Sequence, residues 1–537
     1  MTRLACNSVC INPRAARFRL RPPAGAPTVA GMSPPRETRC LVVGATGYIG
    51  GRLMPELLAA GHRVRCLVRS PDKLRAHGWV DRVDAVLGDV LDPGAVERAL
   101  RDVDVAYYLV HSIGGGPDFE ARDRRAARIF GTRARDAGVR RIVYLGGLTP
   151  AGVPERELSP HLRSRTEVGR LLLASGVPTA VLRAAVVIGS GSASFEMLRH
   201  LTERLPAMVT PSWVRTRVQP IAIADVLRLL VGCDRLPDDV SRPFDIGGPD
   251  VVTYEEMMRR YARQAGLARR LIVPVPVLTP RLSSLWVGLV TPVPGPLARP
   301  LVESLRHEVV CHERDIERYV PRPAGGPVGL DAAIGAALAA VGPARGPAEH
   351  AARPADAMPS DPGWAGASRY VDARERIVDA SPQALWRVIE AIGGDTGWYS
   401  APLAWTVRGW LDRLFGGAGG RRGRPHPTRL ARGDPVDFWR VDALERGRLL
   451  RLRAELRLPG DAWLELRVDR DPQGRTRYRQ RALFLPHGLL GHAYWWSISP
   501  FHAWVFGGMV RTIASRAEGE SGAGRTLPSL RPARERM

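Results

Sequence analysis

The feature that most constrains this chain is the glycine-rich heptapeptide GATGYIG at 44–50, which directly follows an apolar run and opens a helical pattern. Gly44 permits a tight turn, Gly47 lets an anion approach backbone N–H groups, and Gly50 lets the helix pack closely on the strand. A phosphate would then lie at a helix N-terminus, where the partial charge is positive. The pattern predicts a dinucleotide-binding loop, and a purely structural turn is the alternative. The predicted binding residues of this loop are Gly44, Thr46, Gly47, Tyr48, Ile49 and Gly50.

Short apolar runs alternate with amphipathic stretches from Arg39 onward. This alternation predicts an α/β domain with a parallel sheet covered by helices on both faces. Right-handed crossovers would make it a doubly wound Rossmann sheet. Helices are expected near 48–60, 71–76, 93–100, 118–137 and 164–175, each after a strand.

Composition divides the chain into five parts. Residues 1–38 carry Arg and Pro without periodicity or a secretory h-region, and Met32 is an alternative start. The stretch 321–368 is rich in Ala, Gly and Pro and is predicted to be a linker, with a last helix at about 330–341. The predicted parts are a disordered tail (1–38), the Rossmann domain with substrate-side elements (39–320), the linker (321–368), a second domain (369–518) and a disordered tail (519–537).

The second domain is predicted to be α+β. A strand precedes Ser381-Pro382, which cap a helix reaching about Ile392. An amphipathic helix at 404–416, an antiparallel meander and a final helix at about 500–516 complete the plan. The domain is dense in tryptophan, which would line an apolar ligand cavity or, equally, form a solid core or an interface with the first domain.

A net charge of +24 raises the question of nucleic-acid partners. Lys73 is the only lysine among 78 Lys and Arg residues, and the arginines are spread between Asp and Glu along the chain. No helix-turn-helix signature or zinc-finger spacing accompanies them. A solvated arginine-rich surface is therefore favoured over nucleic-acid binding.

The six cysteines form neither a disulfide framework nor a metal-ligand pattern, which favours a reducing cytoplasm. Cys40 and Cys66 are predicted to be small core residues. His492 and His502 lack a ligating spacing, so no metal is expected. Residues 482–510 contain no Asp, Glu, Lys or Arg, but prolines interrupt them. A strand end, a loop and a buried helix are favoured there over a membrane span.

The residues that follow the second, third and fourth predicted strands indicate which nicotinamide dinucleotide the site would bind and where its parts would lie. Arg69 stands where an NAD site usually has an acidic residue, and it offers a bidentate donor to a 2′-phosphate, with help from Lys73. NADP(H) is therefore predicted over NAD(H), with a surface arginine as the alternative. Asp89 and Val90 are predicted beside the adenine, and Val110 and His111 near the nicotinamide ribose.

The motifs GATGYIGG, LVRSPDKL, GDVLD, VYLGG and VLRAAVVIGSG resemble the atypical and extended branches of the short-chain dehydrogenase/reductase superfamily over about 40–250. The motifs GGDTGWY, LDRLFGG, GDPVDFWRV, LRLPGDAWLEL and YWWSISPFHAWVF resemble the domain of unknown function 2867. That second resemblance implies a helix-grip, START-like fold. Together the two resemblances cover residues 39–518 and specify architecture without a substrate.

The first resemblance implies a Tyr-x-x-x-Lys pair and a strand-end serine, and this chain lacks both. His161 stands at the tyrosine position and Arg165 at the lysine position, one helical turn apart. We predict His161 as proton donor and Arg165 as cofactor clamp, because histidine titrates near neutrality and arginine can hold ribose hydroxyls. An ordinary exposed helix start is the alternative. Tyr107, Tyr108 and His111 are fallback candidates, the two tyrosines being expected to pack in the sheet.

Two functions remain open at this level. One is an NADP(H)-dependent oxidoreductase or isomerase acting on a small or moderately hydrophobic substrate, in a cleft over the strand C-termini roofed by 275–300 and the second domain. The other is a non-catalytic NADP(H)-binding redox sensor or assembly factor whose C-terminal domain binds a hydrophobic ligand or a partner. The sequence does not specify the substrate, the reaction direction or the oligomeric state.

Overall fold

In the computed structural model a parallel sheet begins at Arg39 and an antiparallel sheet ends at Pro486, with helices packed on both. The described residues all belong to one compact unit that starts at Thr38. Of the expected tails (1–38 and 519–537), residues 1–37 and 524–537 lie outside the described residues, as does the helix expected at 404–416, whereas residues 519–523 are helical and correct the start of the second tail. The structure describes residues 38–112, 116, 118–275, 290–291, 293–341, 358–362, 369–400, 423–456, 458–471 and 473–523.

Seven parallel strands form the first sheet, in the order β11-β6-β5-β4-β1-β2-β3. The order reverses between β1 and β4, so a crevice is expected outside the carboxyl ends of these two strands. This topology confirms the predicted doubly wound α/β sheet. The strands are β1 (Arg39–Val43), β2 (Arg63–Val68), β3 (Asp84–Leu87), β4 (Val105–Tyr108), β5 (Arg141–Gly147), β6 (Thr179–Ala184) and β11 (Arg242–Ile246).

Both faces of the central strands of this sheet are buried, whereas the edge strand β3 is largely exposed. Cys40 and Val42 of β1 pack into one core, and Leu41 and Val43 pack into the core on the other side. Cys66 of β2 is fully buried as well, which confirms Cys40 and Cys66 as core residues. Burial raises the pKa of the Cys66 thiol to about 12, so this thiol stays protonated at neutral pH.

Five helices connect the first six strands. Helix α3 has the expected bounds because Asp92 accepts the N–H of Gly94 and a proline follows at the first helical position. Helix α5 begins four residues before its expected start, since Ser159 accepts the N–H of Leu162 and Pro160 opens the helix. The helices are α1 (Tyr48–Ala59), α2 (Pro71–Arg75), α3 (Pro93–Leu100), α4 (Phe119–Asp136) and α5 (Pro160–Leu173).

Smaller elements cover the carboxyl edge of the sheet. They form three two-stranded sheets, β7–β10, β8–β13 and β9–β12, packed with helices around a second core. Thr253 caps α8 through the N–H of Glu256, as the sequence predicts. The elements are β7 (Val186–Ile188), α6 (Ala193–Arg204), β8 (Ala207–Pro211), β9 (Arg217–Val218), β10 (Pro220–Ala222), α7 (Ile223–Gly232), β12 (Val252–Thr253), α8 (Tyr254–Gln264), β13 (Leu271–Val275), α9 (Gly295–Ser304) and α10 (Leu330–Val341).

The C-terminal region is built on a six-stranded antiparallel sheet in the order β14-β19-β18-β17-β16-β15. Ser381 caps α11 by accepting the N–H of Ala384, as predicted. Two helices pack on one face of the sheet, and their apolar side chains fill the space between them and the strands. The elements are β14 (Tyr370–Ile377), α11 (Pro382–Glu390), β15 (Pro435–Val436), β16 (Trp439–Glu445), β17 (Leu449–Ala454), β18 (Gly460–Arg470), β19 (Thr476–Pro486) and α12 (Gly488–Ala523).

Helix α12 corrects one expectation. A loop was expected before a helix at about 500–516, yet the chain is helical from Gly488 to Ala523, through Pro500. Gly491 explains part of this, because a Cβ there would lie 2.4 Å from the carbonyl oxygen of Pro459. Its missing side chain lets the start of the helix pack directly on the β17–β18 connection. A single internal proline removes one backbone donor, and the surrounding packing compensates.

The described tryptophans fall into two groups. Trp398 and Trp439 are buried in the core between the helices and the sheet, with ring centroids 6.0 Å apart. Trp463 is buried in a small separate cluster. Trp496 and Trp504 are exposed on α12. Trp398, Trp439 and Trp463 are thus packed among apolar side chains in two separate clusters, whereas Trp405 and Trp410 lie outside the described residues.

Within the described ranges, none of the helices combines the length and the apolar composition that crossing a bilayer requires. In the same ranges, no cluster of three or more His, Cys, Asp or Glu side chains has a metal-binding arrangement.

Candidate functional site

The glycine-rich loop turns sharply between β1 and α1. Gly44 has φ +97°, and a Cβ on it would lie 2.8 Å from the carbonyl oxygen of Leu109 after β4. The N–H of Gly47 donates to the carbonyl of Gly44 at 3.0 Å, which closes the turn. A side chain at Gly44 would push the loop away from the end of β4, and one at Gly47 would crowd the Gly44 carbonyl within the turn.

Helix α1 packs directly on this loop. A Cβ on Gly50 would lie only 2.1 Å from the carbonyl oxygen of Gly44. The first N–H groups of α1 have no intrahelical acceptors and carry the positive end of the helix dipole. The cradle therefore fits a phosphate group, which is what the heptapeptide predicts.

A cavity of about 390 Å³ opens beside the loop, over the carboxyl ends of β1, β4 and β5. Its polar groups include His111, His161, Arg165 and Ser304. The rest of its wall is mostly apolar and comes from β6, β7, α6, α8 and α9. Seven of the residues predicted from the sequence line this cavity: Gly47, Tyr48, Ile49, Gly50, His111, His161 and Arg165.

Arg165 is held by the end of β5. Its Nη2 donates to the carbonyl of Leu145 at 2.6 Å, and its guanidinium lies 5.7 Å from the centre of the Tyr144 ring. The Tyr144 hydroxyl in turn donates to the carbonyl of Arg165 at 3.3 Å. These contacts fix the cation next to the two histidines.

Both histidines of the cavity are neutral at pH 7. Burial lowers the pKa of His161 well below its usual value, and the neighbouring Arg165 and His111 lower it further. His111 is exposed to solvent on one side of the site, and desolvation by the surrounding protein together with the neighbouring Arg165 lowers its pKa to about 4. The buried Nδ1 of His161 has no hydrogen-bond partner among the described residues. An unpaired ring nitrogen is suited to a ligand hydroxyl or carbonyl.

Asp123 of α4 fastens the two histidine-bearing segments together. Its Oδ1 accepts the N–H of Ser112, next to His111, at 2.8 Å. Its Oδ2 accepts the hydroxyl of Ser164, in the helix that carries His161, at 3.0 Å. Sequence reasoning missed this residue, because an aspartate inside a charged helix looks like solvent-exposed surface.

The predicted adenine side lies outside the cavity lining, along β2 and β3. Arg69 follows β2 with its side chain 74% exposed, and its Nη1 lies 3.8 Å from Oδ2 of Asp89. Lys73 is exposed on α2, and Val90 is half-buried. Asp89 accepts the N–H of Leu91 at 2.9 Å, which shapes the turn after β3.

The remaining predicted residues divide by burial. Thr46 is half-buried in the glycine loop, and Val110 contacts the position where a Gly44 side chain would be. Tyr107 and Tyr108 are buried in the cores on opposite faces of the sheet, as expected, and neither lines the cavity. They are therefore not members of the site.

Helix α9 supplies part of the roof that the sequence predicts over 275–300. Leu297, Leu301 and Ser304 line the cavity, while residues 276–289 lie outside the described part. The Ser304 hydroxyl lies 2.8 Å from that of Ser159, the cap of α5. Ser304 was missed because a lone serine near a helix end carries no sequence signal.

A short segment of the predicted linker also reaches the site. Asp361 accepts hydrogen bonds from both terminal nitrogens of Arg52 on α1, and Pro362 lines the cavity. Ser360 lies against Gly51 and Asp361 lies against Gly191. A Cβ on Gly51 would lie 2.3 Å from the Ser360 hydroxyl oxygen, and a Cβ on Gly191 would lie 3.0 Å from the carboxyl carbon of Asp361. Composition alone could not show that residues 358–362 make these contacts.

Two family models match the chain. The model described as NAD(P)H-binding matches residues 44–191, and the model described as a protein of unknown function (DUF2867) matches residues 364–509. The chain joins an NAD(P)-binding, short-chain dehydrogenase/reductase-like Rossmann domain to a DUF2867 domain. The glycine cradle and the cavity both belong to the NAD(P)-binding domain.

Known relatives match the same half of the chain. Mouse NADH dehydrogenase [ubiquinone] 1 alpha subcomplex subunit 9 (Mus musculus) is 24% identical over 254 residues, 46% of this chain and 65% of that protein. The divinyl chlorophyllide a 8-vinyl-reductase of Zea mays is 28% identical over 292 residues, 51% of this chain and 71% of that protein. The chain thus spans about two thirds of these relatives.

Solved structures align with a similar share. A triphenylmethane reductase from Citrobacter sp., complexed with NADP(H), aligns over 56% of this chain and all of its own, with 19% identity and a TM-score of 0.45. Residues 44–191 thus match an NAD(P)H-binding model, and the relatives that align with this half of the chain include a protein named as a reductase and one named as a dehydrogenase subunit.

Proposed function

We propose that this protein is an NADP(H)-dependent oxidoreductase acting on a small or moderately apolar organic substrate. The observation that carries the proposal is that His161 and Arg165 line the same cavity as the glycine-rich loop. A purely structural turn would not require a half-buried imidazole with an unpaired Nδ1 in the same cavity.

The residues fit a nicotinamide dinucleotide. The backbone of Gly47, Tyr48 and Ile49 would hold the diphosphate at the N-terminus of α1. Arg165 would donate to the ribose beside the nicotinamide, as its position near the end of β5 allows. When bound, the nicotinamide ring donates or accepts a hydride.

The preference for NADP(H) is supported by Arg69 and Lys73. Arg69 pairs only distantly with Asp89 and is mostly exposed, so its guanidinium is available to a 2′-phosphate. Lys73 adds a second positive charge four residues later, on α2.

His161 would move the proton that balances the hydride. In the reducing direction, its imidazolium would protonate the oxygen of a carbonyl substrate as the hydride reaches the carbon. In the oxidising direction, the neutral imidazole would accept the proton of an alcohol. The low pKa of His161 makes the neutral form dominant at pH 7 and so favours acceptance.

The cavity wall supports an apolar substrate. Its apolar lining residues include Met197, Leu297, Leu301 and Val309. Such a wall binds hydrocarbon surface, while the histidines and Arg165 would orient one polar group.

One observation favours the second function, a non-catalytic NADP(H)-binding protein. Strand β5 ends in Gly146 and Gly147, so no hydroxyl stands at the strand end that the family resemblance would fill with serine. In that case the C-terminal domain would bind a hydrophobic ligand or a partner. We propose a START-like fold for this domain.

The test is NADPH oxidation at 340 nm against apolar aldehydes, ketones, enones and quinones. We expect turnover with at least one class, and its loss in His161→Ala with NADPH binding retained. Calorimetric NADPH binding without turnover across the whole panel would favour the non-catalytic function. Absence of binding by any nicotinamide dinucleotide would refute both.

A further inference from the structure

Helix α12 exposes a mostly apolar face along its first half, in which Ser497 is an exposed polar residue. At about 100° per residue, its large exposed side chains fall within a sector of roughly 140°. Together they form the apolar stripe of α12. Its members, with their exposed fractions, are Leu489 (43%), Leu490 (77%), Trp496 (67%), Phe501 (64%) and Trp504 (60%).

The opposite face of the same turns is packed against the protein. Trp495 stacks on Tyr370 of β14, with ring centroids 5.0 Å apart and an interplanar angle of 6°. It also stacks on Phe484 of β19 at 5.8 Å. Val505 and Phe506 are buried. The helix is thus anchored to its domain, and the apolar stripe is the side left outward.

The stripe is free of charge. Residues 482–510 contain no Asp, Glu, Lys or Arg, in a chain where a quarter of all residues are charged. The first charged residue on the same side of the helix is Arg511, two turns after Trp504, and it is exposed. An uncharged stripe that ends in a cation differs from an ordinary solvated helix face, which carries charges throughout.

We propose that the apolar stripe of α12 docks this protein on the surface of an anionic lipid bilayer. Trp and Phe side chains are suited to the boundary between headgroups and acyl chains, where a helix lying in the membrane plane buries its apolar face. Docking of this kind needs no membrane-spanning helix. The net charge of +24 and Arg511 favour anionic headgroups.

A second copy of the chain is the competing occupant. The exposed parts of the five side chains amount to roughly 600 Å², which is large for a monomer surface. A stable protein interface needs about 800 Å² from each partner. The stripe falls short of that area, whereas insertion of a few aromatic side chains suffices for bilayer docking.

The experiment is flotation of the full-length protein with phosphatidylcholine vesicles, with and without phosphatidylglycerol. We expect the wild type to float with the anionic vesicles and to be released by high salt. The triple variant W496S/F501S/W504S should lose binding by about tenfold or more. The matched control is V209S/L271S, which removes two exposed apolar side chains of the first domain (55% and 62% exposed) and should bind like the wild type.

Three results would overturn the proposal. The first is that the wild type does not float with the vesicles, and the second is that the triple variant floats as well as the wild type. The third is that neither protein floats, but the wild type sediments as a dimer and the triple variant as a monomer. The last would assign the stripe to a second copy. If the triple variant fails to fold, the single variant W496S takes its place in the flotation experiment. In addition, brominated lipid should quench the tryptophan fluorescence of the wild type, and absence of quenching would count against docking.

Discussion

Asp361 forms a buried ion pair with Arg52, although 309 positions separate them in the chain. Nη2 of Arg52 donates to Oδ2 of Asp361 at 3.0 Å and also to the carbonyl of Ser190. Arg52 lies on α1 just after the glycine loop, so this pair fastens residues 358–362 beside the predicted phosphate site.

Replacing Asp361 by Asn should destabilise the protein, because it leaves the Arg52 cation buried without a counter-charge. We expect a loss of about 3 kcal/mol in the free energy of unfolding, as for other broken buried pairs. Urea unfolding followed by circular dichroism measures it.

The matched control is Asp102→Asn. Asp102 pairs with Arg39 at 3.3 Å, but its side chain is 82% exposed. A surface pair of this kind contributes about 1 kcal/mol or less. Equal losses in the two variants would show that burial of the Arg52 pair adds nothing.

Replacing Gly50 by Ala should disrupt the phosphate cradle. The added Cβ would lie 2.1 Å from the Gly44 carbonyl oxygen, so α1 must move away from the loop. We expect NADPH affinity to fall about tenfold or more, measured by calorimetry. Gly78→Ala is the control, since nothing lies within 4 Å of its added Cβ. Unchanged affinity in the Gly50 variant would remove the loop from the binding site.

Replacing Arg69 by Glu should change the choice of dinucleotide. The carboxylate would repel a 2′-phosphate, so the Kd for NADPH should rise about tenfold or more while that for NADH changes little. Arg75→Glu, at an arginine of α2 that is 70% exposed, controls for the general loss of charge. A parallel loss for both dinucleotides would contradict a role in recognising the 2′-phosphate.

The pH dependence of reduction should report His161. The pKa of His161 lies well below its usual value of about 6.5, so its protonated fraction falls about tenfold per pH unit across neutrality. We therefore expect kcat/KM for NADPH oxidation to rise as pH falls from 8 to 6, after subtraction of spontaneous NADPH decay. His161→Gln should flatten this slope, whereas His426→Gln, an exposed residue of the C-terminal domain, should not. A flat wild-type profile would exclude His161 as the proton donor.

Local signals predicted much of the fold. The bounds of α3 follow from Asp92 and Pro93, and the caps of α8 and α11 follow from Thr253 and Ser381, because capping is decided within a few residues. The glycine spacing likewise identified the turn at Gly44. These features need no knowledge of the rest of the chain.

Features that depend on distant contacts were missed. Pro500 suggested a break in α12, but packing of the helix against β14 and β19 sustains it. The Asp361–Arg52 pair lies in a stretch whose composition is that of a linker. Asp123 and Ser304 likewise acquire their partners only when separate elements meet.

The carboxylate of Asp123 has a mechanical consequence. The carboxylate accepts hydrogen bonds from Ser112 and Ser164 at once. The turn that bears His111 and the helix that bears His161 are therefore coupled and should move as one unit, here called the bracket. Opening the roof of the cavity to admit a molecule would leave the spacing of the two imidazoles unchanged, whereas any shift of this bracket would displace both rings in concert.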